Sequence, residues 1–384
     1  MVTLKDKAAI VGAGETTYSR NSGVSDLALV LQASLRAIED AGISPKDIDG
    51  IITGYGDLHA KSLMSNFGSE DIKYAVTINM GGASAVASIQ SATVAIATGI
   101  ATNILCVAGW NGCSGGKIAT HMHKPGIGLS MIANFEMPYG ASAPALWYAL
   151  MAKRHMHEYG TTSRQFGAVA VTMRKHAQLN DNAIMRNKPM TIEDHQNSRM
   201  IAEPIRLLDC CLESDGAAAV VITSAERARN MRHQPVYIMG VAEGHPDSPE
   251  QITNRLTLTE LGIKKAAPRA FTMAGISPKD IDVAEVYDCF TYIVICQLED
   301  IGFCNKGEGG PFVEGGRIEI GGELPVNTHG GLLSQAHVLG MNHMIEAVKQ
   351  LRGSAGKAQV KDAEIALVSG YGDQGDGTLA ILRR

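Results

Sequence analysis

Paired cysteines, long basic runs and aromatic side chains are scarce in this sequence. Only 5% of the 384 residues are aromatic, the net charge is −5, and the seven cysteines include no C-x-x-C pair. A nucleic-acid-binding surface needs clustered lysine and arginine, so the charge pattern excludes this class of protein. An odd number of cysteines without a secretory context predicts reduced thiols and a cytoplasmic protein.

A signal peptide and a membrane span are also not apparent. Residues 1–14 lack a charged region followed by a long apolar stretch, so we expect no signal peptide. The most apolar window, residues 83–109, is interrupted by serine and threonine, whereas a spanning helix needs about 20 largely apolar residues. This window therefore predicts a buried helix and strand rather than a membrane span.

Glycine and small apolar residues are abundant. The chain contains 42 glycines, and 45% of its residues are hydrophobic. Its length predicts two or three domain-sized units with enough apolar surface to form a core without disulfides or metals. Small residues allow helices and backbone to approach closely, which favours a layered fold with buried central helices.

A nine-residue repeat divides the chain into two similar halves. The sequence AGISPKDID at residues 41–49 recurs unchanged at residues 274–282. In both copies the preceding residues are helix-like, and the glycine is placed to end that helix. The proline then begins a short turn, and a strand follows at residues 50–54 and 283–287. Local convergence is the alternative, but the similar flanks favour duplication.

Each half then continues with a Gly-Gly turn, a helix and a strand. In the first half the turn ends at Gly82 and precedes an alanine-rich helix and a strand at residues 103–108. In the second half the turn ends at Gly331 and precedes a helix through Arg352 and a strand at residues 364–369. We therefore expect two similar α/β halves with a ligand site between them.

The order of these segments predicts three units. Residues 1–110 and 205–235 form the N-terminal half, and residues 236–384 form the C-terminal half. Residues 111–204 are interpreted as an inserted loop or lid domain, because their apolar spacing is irregular. No cysteine or carboxylate spacing completes a zinc site with the histidines of the insertion, which predicts a solvated surface and no metal site. These histidines are His121, His123, His155, His157 and His176.

Four segments, taken in order, resemble the thiolase superfamily. Residues 207–219 are similar to the family's strand before the second half, and residues 285–290 (EVYDCF) resemble the E-x-H-D-C-F segment of sterol-carrier-protein thiolases. Residues 327–331 and 336–340 resemble the N-x-x-G-G and G-H-P-x-G segments. The resemblance covers essentially the whole chain. It implies the α/β thiolase fold, duplicated in five α-β-α-β-α layers with the inserted loop domain, and it also implies a homodimer and an acyl-CoA substrate.

The chain departs from the family at the position of the nucleophilic cysteine. In a thiolase this cysteine begins a helix, where backbone N–H groups and the helix dipole lower its pKa. The matching residue here is Gly82. Residues 369–373 also lack the second reactive cysteine that some thiolases have after the last strand. The departure implies that no covalent acyl-cysteine intermediate forms.

Proton-transfer groups remain at the other catalytic positions of the family. His337 matches the catalytic histidine, and Tyr287 replaces a histidine or asparagine that helps to form an oxyanion site. The resemblance implies that His329 lies beside them as a third candidate catalytic residue, and that Gly82, Asp288 and Tyr371 belong to the substrate or oxyanion surroundings. A histidine transfers protons near neutral pH, and a tyrosine hydroxyl, with a pKa of about 10, holds a developing oxyanion. How the roles divide between Tyr287 and His337 stays open, because the steroid-cleaving relatives have a tyrosine at the position of His337.

Three candidate functions follow. The favoured one is aldol or retro-aldol cleavage of a β-hydroxyacyl-CoA, because a thioester acidifies its α-carbon and an enolate then needs only a stabilised oxygen and proton transfer. The alternatives are an acyltransferase that uses a partner subunit, and a non-catalytic subunit that binds acyl-CoA or lipid. Cysteine-free relatives that cleave steroid side chains are aldolases and require a small zinc-ribbon and OB-fold partner. The resemblance therefore implies a heteromeric complex, a CoA thioester as substrate and no bound cofactor.

Overall fold

The computed structural model describes residues 3–54, 60–115, 132–248, 252–372 and 375–384. No helix within these ranges is long and apolar enough to cross a membrane. The strands are β1 (Ala8–Glu15), β2 (Gly50–Thr53), β3 (Tyr74–Thr77), β4 (Asn103–Asn111), β5 (Met200–Ala202), β6 (Ile205–Arg206), β7 (Asp215–Ser224), β8 (Val236–Gly244), β9 (Val283–Glu285), β10 (Ile365–Gly372) and β11 (Asp376–Arg383). The helices are α1 (Asp26–Ala41), α2 (Ala60–Phe67), α3 (Ser84–Ala97), α4 (Pro144–Tyr159), α5 (Ser163–Ala177), α6 (Ile192–Gln196), α7 (Ala225–Ala228), α8 (Ile263–Ala274), α9 (Thr291–Ile301), α10 (Gly309–Phe312) and α11 (Met341–Leu351).

The two halves share one mixed sheet. Its strand order is β3-β2-β4-β7-β1-β8-β11-β10-β9, and β5 pairs separately with β6. The halves meet where β1 pairs with β8, through Ala9 with Tyr237 and Ile10 with Val236. Each half repeats the same pattern, because β2 and β9 run parallel to β4 and β10, which in turn pair antiparallel with β7 and β11. The topology therefore has the duplication that the repeat predicts.

The nine-residue repeat has the same local structure in both halves. Gly42 and Gly275 end α1 and α8 with φ angles of 71° and 72°, in the left-handed region that favours glycine. A one-turn helix then begins at the proline of each copy. The last aspartate, Asp49 or Asp282, accepts backbone hydrogen bonds at the start of the neighbouring strand. The repeat thus fixes a helix end to a strand start in each half.

Apolar cores separate five layers. α3 and α11 lie in the centre, packed on the inner faces of both half-sheets through residues such as Val220 and Val368. α1 covers the outer face of the first half, and α8 and α9 cover the outer face of the second half. Because α3 is apolar on nearly all sides, its burial between two sheets follows from its composition. The α-β-α-β-α order is the one that the sequence resemblance implies.

The insertion contains long helices where the sequence pattern predicted loops. α4 and α5 are 16 and 15 residues long, and their apolar faces join the core of the second half through residues such as Met151 and Phe166. The apolar spacing did not reveal these helices, because they also bury polar side chains and the apolar positions alone are therefore irregular. These buried polar residues include His155 and His176, which are 0% and 2% exposed.

The prediction of a solvated histidine surface is therefore wrong for two of its members. The ring nitrogens of His155 lie 2.9 Å from the Thr161 hydroxyl and 2.9 Å from the Glu299 carboxylate. His176 is buried by α5 against the second half, and burial lowers its pKa. His157 is exposed, as predicted. His121 and His123 lie outside the described residues.

Candidate active site

Gly82 lies in the turn between β3 and α3, against the ring of Tyr287. The Ser84 hydroxyl accepts a hydrogen bond from the backbone N–H of Met80 over 2.8 Å, which shapes the turn at the start of the helix. A β-carbon placed on Gly82 would overlap the Cζ and hydroxyl atoms of Tyr287. The phenol therefore occupies the volume that a side chain at position 82 would need. Glycine at this position is a steric requirement of Tyr287.

Backbone contact between the halves forms one wall of this region. β-carbons on Gly370 and Gly372, both in β10, would overlap or press on the turn at residues 80–83. The Thr378 hydroxyl of β11 donates a hydrogen bond of 3.0 Å to the carbonyl of Ala83. Because glycine lets backbone approach backbone, the turn of the first half seats directly on the sheet of the second half.

Tyr287 is held by hydrogen bonds to both its backbone N–H and its backbone carbonyl. It follows β9, and its backbone N–H donates to the Ser369 hydroxyl over 3.1 Å. Gln297 donates to its carbonyl oxygen over 2.6 Å, and the same amide accepts from Ser369 over 2.8 Å. Because these partners lie on β10 and α9, the position of the phenol is set by regular structure. The phenol oxygen lies 3.0 Å from Nε2 of His337.

His337 is positioned largely by the first half. Its backbone N–H donates to the Ser214 hydroxyl over 2.6 Å, and the indole N–H of Trp110 donates to its carbonyl over 2.9 Å. The Trp110 ring also packs edge-on against the imidazole, with centroids 5.3 Å apart. Burial lowers the pKa of His337 to about 4. The ring is therefore neutral near pH 7, so that Nε2 can accept the hydrogen bond of the Tyr287 hydroxyl.

His329 lies behind this pair rather than beside it. Its Nδ1 atom is 2.9 Å from the Oε2 atom of Glu285, and the Asn342 amide lies 3.4 Å from its Nε2 atom. Both His329 and Glu285 are fully buried. Although burial opposes ionisation, His329 and then His343 lower the pKa of Glu285 to about 2. His329 therefore belongs to a buried group of side chains around the Glu285 carboxylate, and its described contacts do not include Tyr287 or His337.

Asp288 anchors the segment that leads to His337. Its carboxylate accepts backbone hydrogen bonds from Leu332 over 2.8 Å and from Leu333 over 3.3 Å. These residues belong to the one-turn π-helix Gly331–Gln335. Because Asp288 adjoins Tyr287 in sequence, one carboxylate links the positions of both candidate catalytic side chains.

Tyr371 lies in a buried aromatic group with the insertion. Its ring centroid is 5.8 Å from that of Tyr148 on α4, which is in turn 4.7 Å from that of Phe290. Burial raises the pKa of the Tyr371 hydroxyl. Tyr371 thus packs against Tyr148 of the insertion, and its described contacts do not include His337.

Sequence motifs missed His343. This residue is fully buried on α11, with Nε2 3.3 Å from Asp288 Oδ1 and Nδ1 3.9 Å from Glu285 Oε2. Glu285, His329 and His343 each offer one donor atom within 4.8 Å of the others, so these three could ligate a metal ion. The sequence did contain a clue to His343. It lies six residues after His337 on a predicted helix, and the two carboxylates that it approaches, Glu285 and Asp288, both lie in the EVYDCF segment.

The fold and the site define an enzyme of thiolase architecture with glycine at the nucleophile position. A family model described as thiolase C-terminal domain-like matches residues 244–383. The 17-hydroxy-3-oxo-4-pregnene-20-carboxyl-CoA lyase of Mycobacterium tuberculosis is 44% identical over 363 residues, which cover 92% of this chain and 93% of that protein. The chain belongs to the thiolase superfamily, in the branch that contains the steroid side-chain-cleaving aldolases.

Two further comparisons agree with this membership. The steroid side-chain-cleaving aldolase of Thermomonospora curvata is 42% identical over 364 residues, which cover 92% of this chain and 93% of that protein. The solved structure of the Ltp2-ChsH2(DUF35) aldolase matches with a TM-score of 0.93 at 40% identity, over 100% of this chain and 99% of that chain. The predicted family and the predicted fold are confirmed. The domain boundaries and the homodimer stay predictions.

Proposed function

We propose that this chain is the catalytic subunit of an aldolase that cleaves a β-hydroxyacyl-CoA by a retro-aldol reaction. The observation that carries the proposal is the position of the Tyr287 hydroxyl. It occupies the volume beside Gly82 where a nucleophilic side chain would stand, and it lies 3.0 Å from His337 Nε2. A proton-transfer pair thus replaces covalent catalysis at the same point of the fold. The names of the two relatives, a lyase and an aldolase, support this reaction class.

The reaction removes one proton and returns one. The proton of the β-hydroxyl leaves, the bond between the α- and β-carbons breaks, and its electron pair forms the thioester enolate. The α-carbon then takes a proton, so that the products are a carbonyl compound and a shorter acyl-CoA. Because no electron or atom is gained or lost, the substrate and the proton-transfer groups suffice for the balance, and we propose no bound cofactor.

Tyr287 exchanges the proton in this proposal, with His337 as its partner. With Nε2 accepting from the phenol, the ring proton of His337 is on Nδ1, an assignment that follows from the hydrogen bond. Nδ1 has no hydrogen-bond partner within the described residues. We propose that it donates to a substrate oxygen, which would stabilise the enolate.

An acyl-cysteine route finds little support in the thiols around the site. Cys289 follows Tyr287 by two residues, and Cys211 pairs with it through a backbone hydrogen bond of 3.0 Å. Burial, together with the neighbouring thiol and Asp288, raises the pKa of both thiols well above its usual value. A protonated thiol is a poor nucleophile, so the geometry favours the aldolase over the acyltransferase.

The proposed substrate carries a hydroxyl on the β-carbon of a bulky acyl group. The name of the mycobacterial lyase specifies a 17-hydroxy steroid with a carboxyl-CoA on carbon 20, which is a β-hydroxyacyl-CoA. We propose a steroid acyl-CoA of this kind for the present chain. We also propose a partner subunit, because the similar solved aldolase pairs Ltp2 with ChsH2. That this partner is a small zinc-ribbon and OB-fold protein is what the sequence resemblance implies.

The test is turnover of 17-hydroxy-3-oxo-4-pregnene-20-carboxyl-CoA by the chain, alone and co-expressed with the candidate partner. We expect a 17-ketosteroid and propionyl-CoA in equal amounts by mass spectrometry, without added free CoA. Thiolysis needs free CoA as a reactant, so its omission separates the two reactions. Turnover that depends on free CoA, or label from acetyl-CoA that stays on the denatured chain, would contradict the proposal.

A further inference from the structure

The indole of Trp110 contacts His337 at two points. Trp110 lies in β4, and its indole N–H donates to the His337 carbonyl over 2.9 Å. The indole ring also packs edge-on against the imidazole, with centroids 5.3 Å apart and planes at 77°. We propose that Trp110 is a positioning residue, which holds the imidazole so that Nε2 faces Tyr287 and an Nδ1 proton faces the substrate. This inference rests on the proposed function and deepens it.

The sheet of the first half fixes the position of the indole. The backbone of Trp110 pairs with Gly216 on β7. A β-carbon on Gly112 would overlap the Cε2 and Nε1 atoms of the indole. The indole therefore packs against a residue without a side chain, and its place depends on regular structure together with this glycine.

The backbone of His337 is held separately from its ring. The Ser214 hydroxyl accepts from the His337 N–H over 2.6 Å, which sets the backbone. In the imidazole, Nε2 lies 3.0 Å from the Tyr287 hydroxyl, and Nδ1 has no hydrogen-bond partner within the described residues. Torsion about the Cβ–Cγ bond of a histidine is broad and roughly two-fold. One hydrogen bond does not by itself select one of the two ring orientations, and the edge of the indole supplies a second contact that does.

Turning the ring would undo both contributions of His337. A half-turn exchanges Nε2 with a ring carbon, so the Tyr287 hydroxyl would lose its acceptor. A proton on Nε2 in place of Nδ1 would have the same effect, because a neutral imidazole has one donor and one acceptor nitrogen. In either case the Nδ1 donor is no longer presented to a substrate oxygen. Trp110 thus acts on the reaction through His337, without touching the reacting atoms.

The kinetic test replaces Trp110 in the chain co-expressed with the candidate partner, with 17-hydroxy-3-oxo-4-pregnene-20-carboxyl-CoA as substrate. Trp110→Phe keeps an aromatic ring but deletes the N–H, so we expect kcat to fall about two- to tenfold. Trp110→Leu deletes both contacts and should lower kcat about 10- to 100-fold. KM should change little in both variants, because the lost effect is on the proton-transfer step.

The matched control is Trp147→Phe, which changes the other of the two tryptophans of the chain. Trp147 is buried on α4, and its described contacts do not include His337. This variant should keep kcat within a few-fold of the wild type. Equal losses of kcat in Trp110→Phe and Trp147→Phe would overturn the inference, since any indole of the core would then matter as much. So would a Trp110→Leu variant with wild-type kcat.

A second measurement, of the proton position on His337, needs no turnover. Burial lowers the pKa of His337 to about 4, so its ring is neutral at pH 7.5, where ring-nitrogen NMR of histidine-labelled protein shows which nitrogen holds the proton. The signal is assigned by comparison with His337→Asn. We expect the proton on Nδ1 in the wild type and a share of it on Nε2 in Trp110→Leu. Thermal unfolding shows whether the variant is folded, and Trp110→Met, which also lacks the aromatic edge, replaces it if it is not.

The NMR result separates this inference from the proposed function. A folded variant without the indole whose His337 keeps its proton on Nδ1 overturns the inference even when kcat falls, because the indole then only packs. Turnover by the wild type would in that case leave the aldolase in place. A wild-type chain that does not cleave the substrate, yet shows the shift of the proton in Trp110→Leu, contradicts the aldolase and supports the role of Trp110.

Discussion

The Gly-Gly turns of the two halves occupy equivalent places in the fold, but the first provides space at the site and the second provides titratable side chains. The turn of the first half offers Gly82, which has no titratable side chain and makes room for Tyr287. The matching segment of the second half is followed within thirteen residues by His337 and His343, and it contains His329. A duplicated fold can therefore divide a site, with one half giving volume and backbone and the other giving the groups that hold protons.

Away from the site, the two halves remain alike. A β-carbon on Gly12 of β1 would overlap the Ala37 carbonyl of α1, and one on Gly240 of β8 would overlap the Ala270 carbonyl of α8. Both contacts place an outer helix directly on its half-sheet. The scaffold keeps its symmetry because each half must bury the same layers, whereas the proposed reaction needs each proton-transfer group only once.

The largest expected effect comes from removing the hydroxyl of Tyr287. Tyr287→Phe keeps the ring that packs beside Gly82 and deletes the atom that faces His337. We expect kcat to fall about 10²- to 10⁴-fold, the range for loss of general acid–base catalysis, with the fold unchanged. Steady-state kinetics and thermal unfolding measure the two effects.

The matched control is Tyr292→Phe on α9, which removes another buried hydroxyl whose partner is the Cys296 sulfur at 3.7 Å. This variant should keep kcat within a few-fold of the wild type. Tyr287→Phe with near-wild-type turnover would show that proton exchange does not pass through this phenol. The space at Gly82 would then serve packing only, and not the reaction.

A side chain placed at Gly82 in the first half should displace Tyr287 in the second half. Gly82→Ala places a methyl group in the volume of the Tyr287 phenol, so we expect a loss of stability of about 1–3 kcal/mol and a large loss of kcat. Urea unfolding of Gly82→Ala, Tyr287→Ala and the double variant forms a cycle. Because Tyr287→Ala removes the ring with which the new methyl group collides, the double variant should be more stable than additivity predicts. Additive losses would mean that Gly82 and Tyr287 do not compete for space.

Several parts of this comparison could be predicted from the sequence, for local reasons. The repeat predicted both helix ends, because glycine at Gly42 and Gly275 adopts a backbone that other residues resist. Motif spacing indicated Tyr287 and His337 together. The overlap between Gly82 and Tyr287 could not be predicted, because it depends on how closely β10 approaches the turn of the first half. His343 was missed because its carboxylate partners come from another element.

Stability should depend on pH through His343. Its pKa is about 9 in the folded chain and about 6.5 when unfolded. The raised value stabilises the fold fully below pH 6.5, and this contribution is lost as the pH rises through 9. Relative to His343→Gln, the wild type should lose up to about 1.4 kcal/mol per pH unit between pH 6.5 and 9. Urea unfolding at pH 6, 7.5 and 9 checks the slope, and parallel curves for the two proteins would contradict it.

His337 should act on stability in the opposite direction. Its pKa is about 4 in the folded chain against about 6.5 when unfolded, so the unfolded chain binds a proton first as the pH falls. The fold should therefore weaken between pH 6.5 and 4 through this group, and His337→Asn should remove that part of the slope. Unfolding of both proteins at pH 6.5 and 5 gives the difference, and an unchanged slope would mean that the ring is already charged in the fold.

The smallest effect on chemistry is expected from His329, although the second half contributes it from the Gly-Gly turn itself. His329 touches Glu285 rather than the catalytic pair, so His329→Gln, whose amide can still donate to this carboxylate, should lower kcat less than about tenfold. His329→Leu leaves Glu285 without that partner and should cost about 3–5 kcal/mol of stability. Kinetics and urea unfolding of both variants separate the two outcomes. If His329→Gln instead loses as much turnover as Tyr287→Phe, the proton path includes His329 and Glu285 and is not confined to Tyr287 and His337.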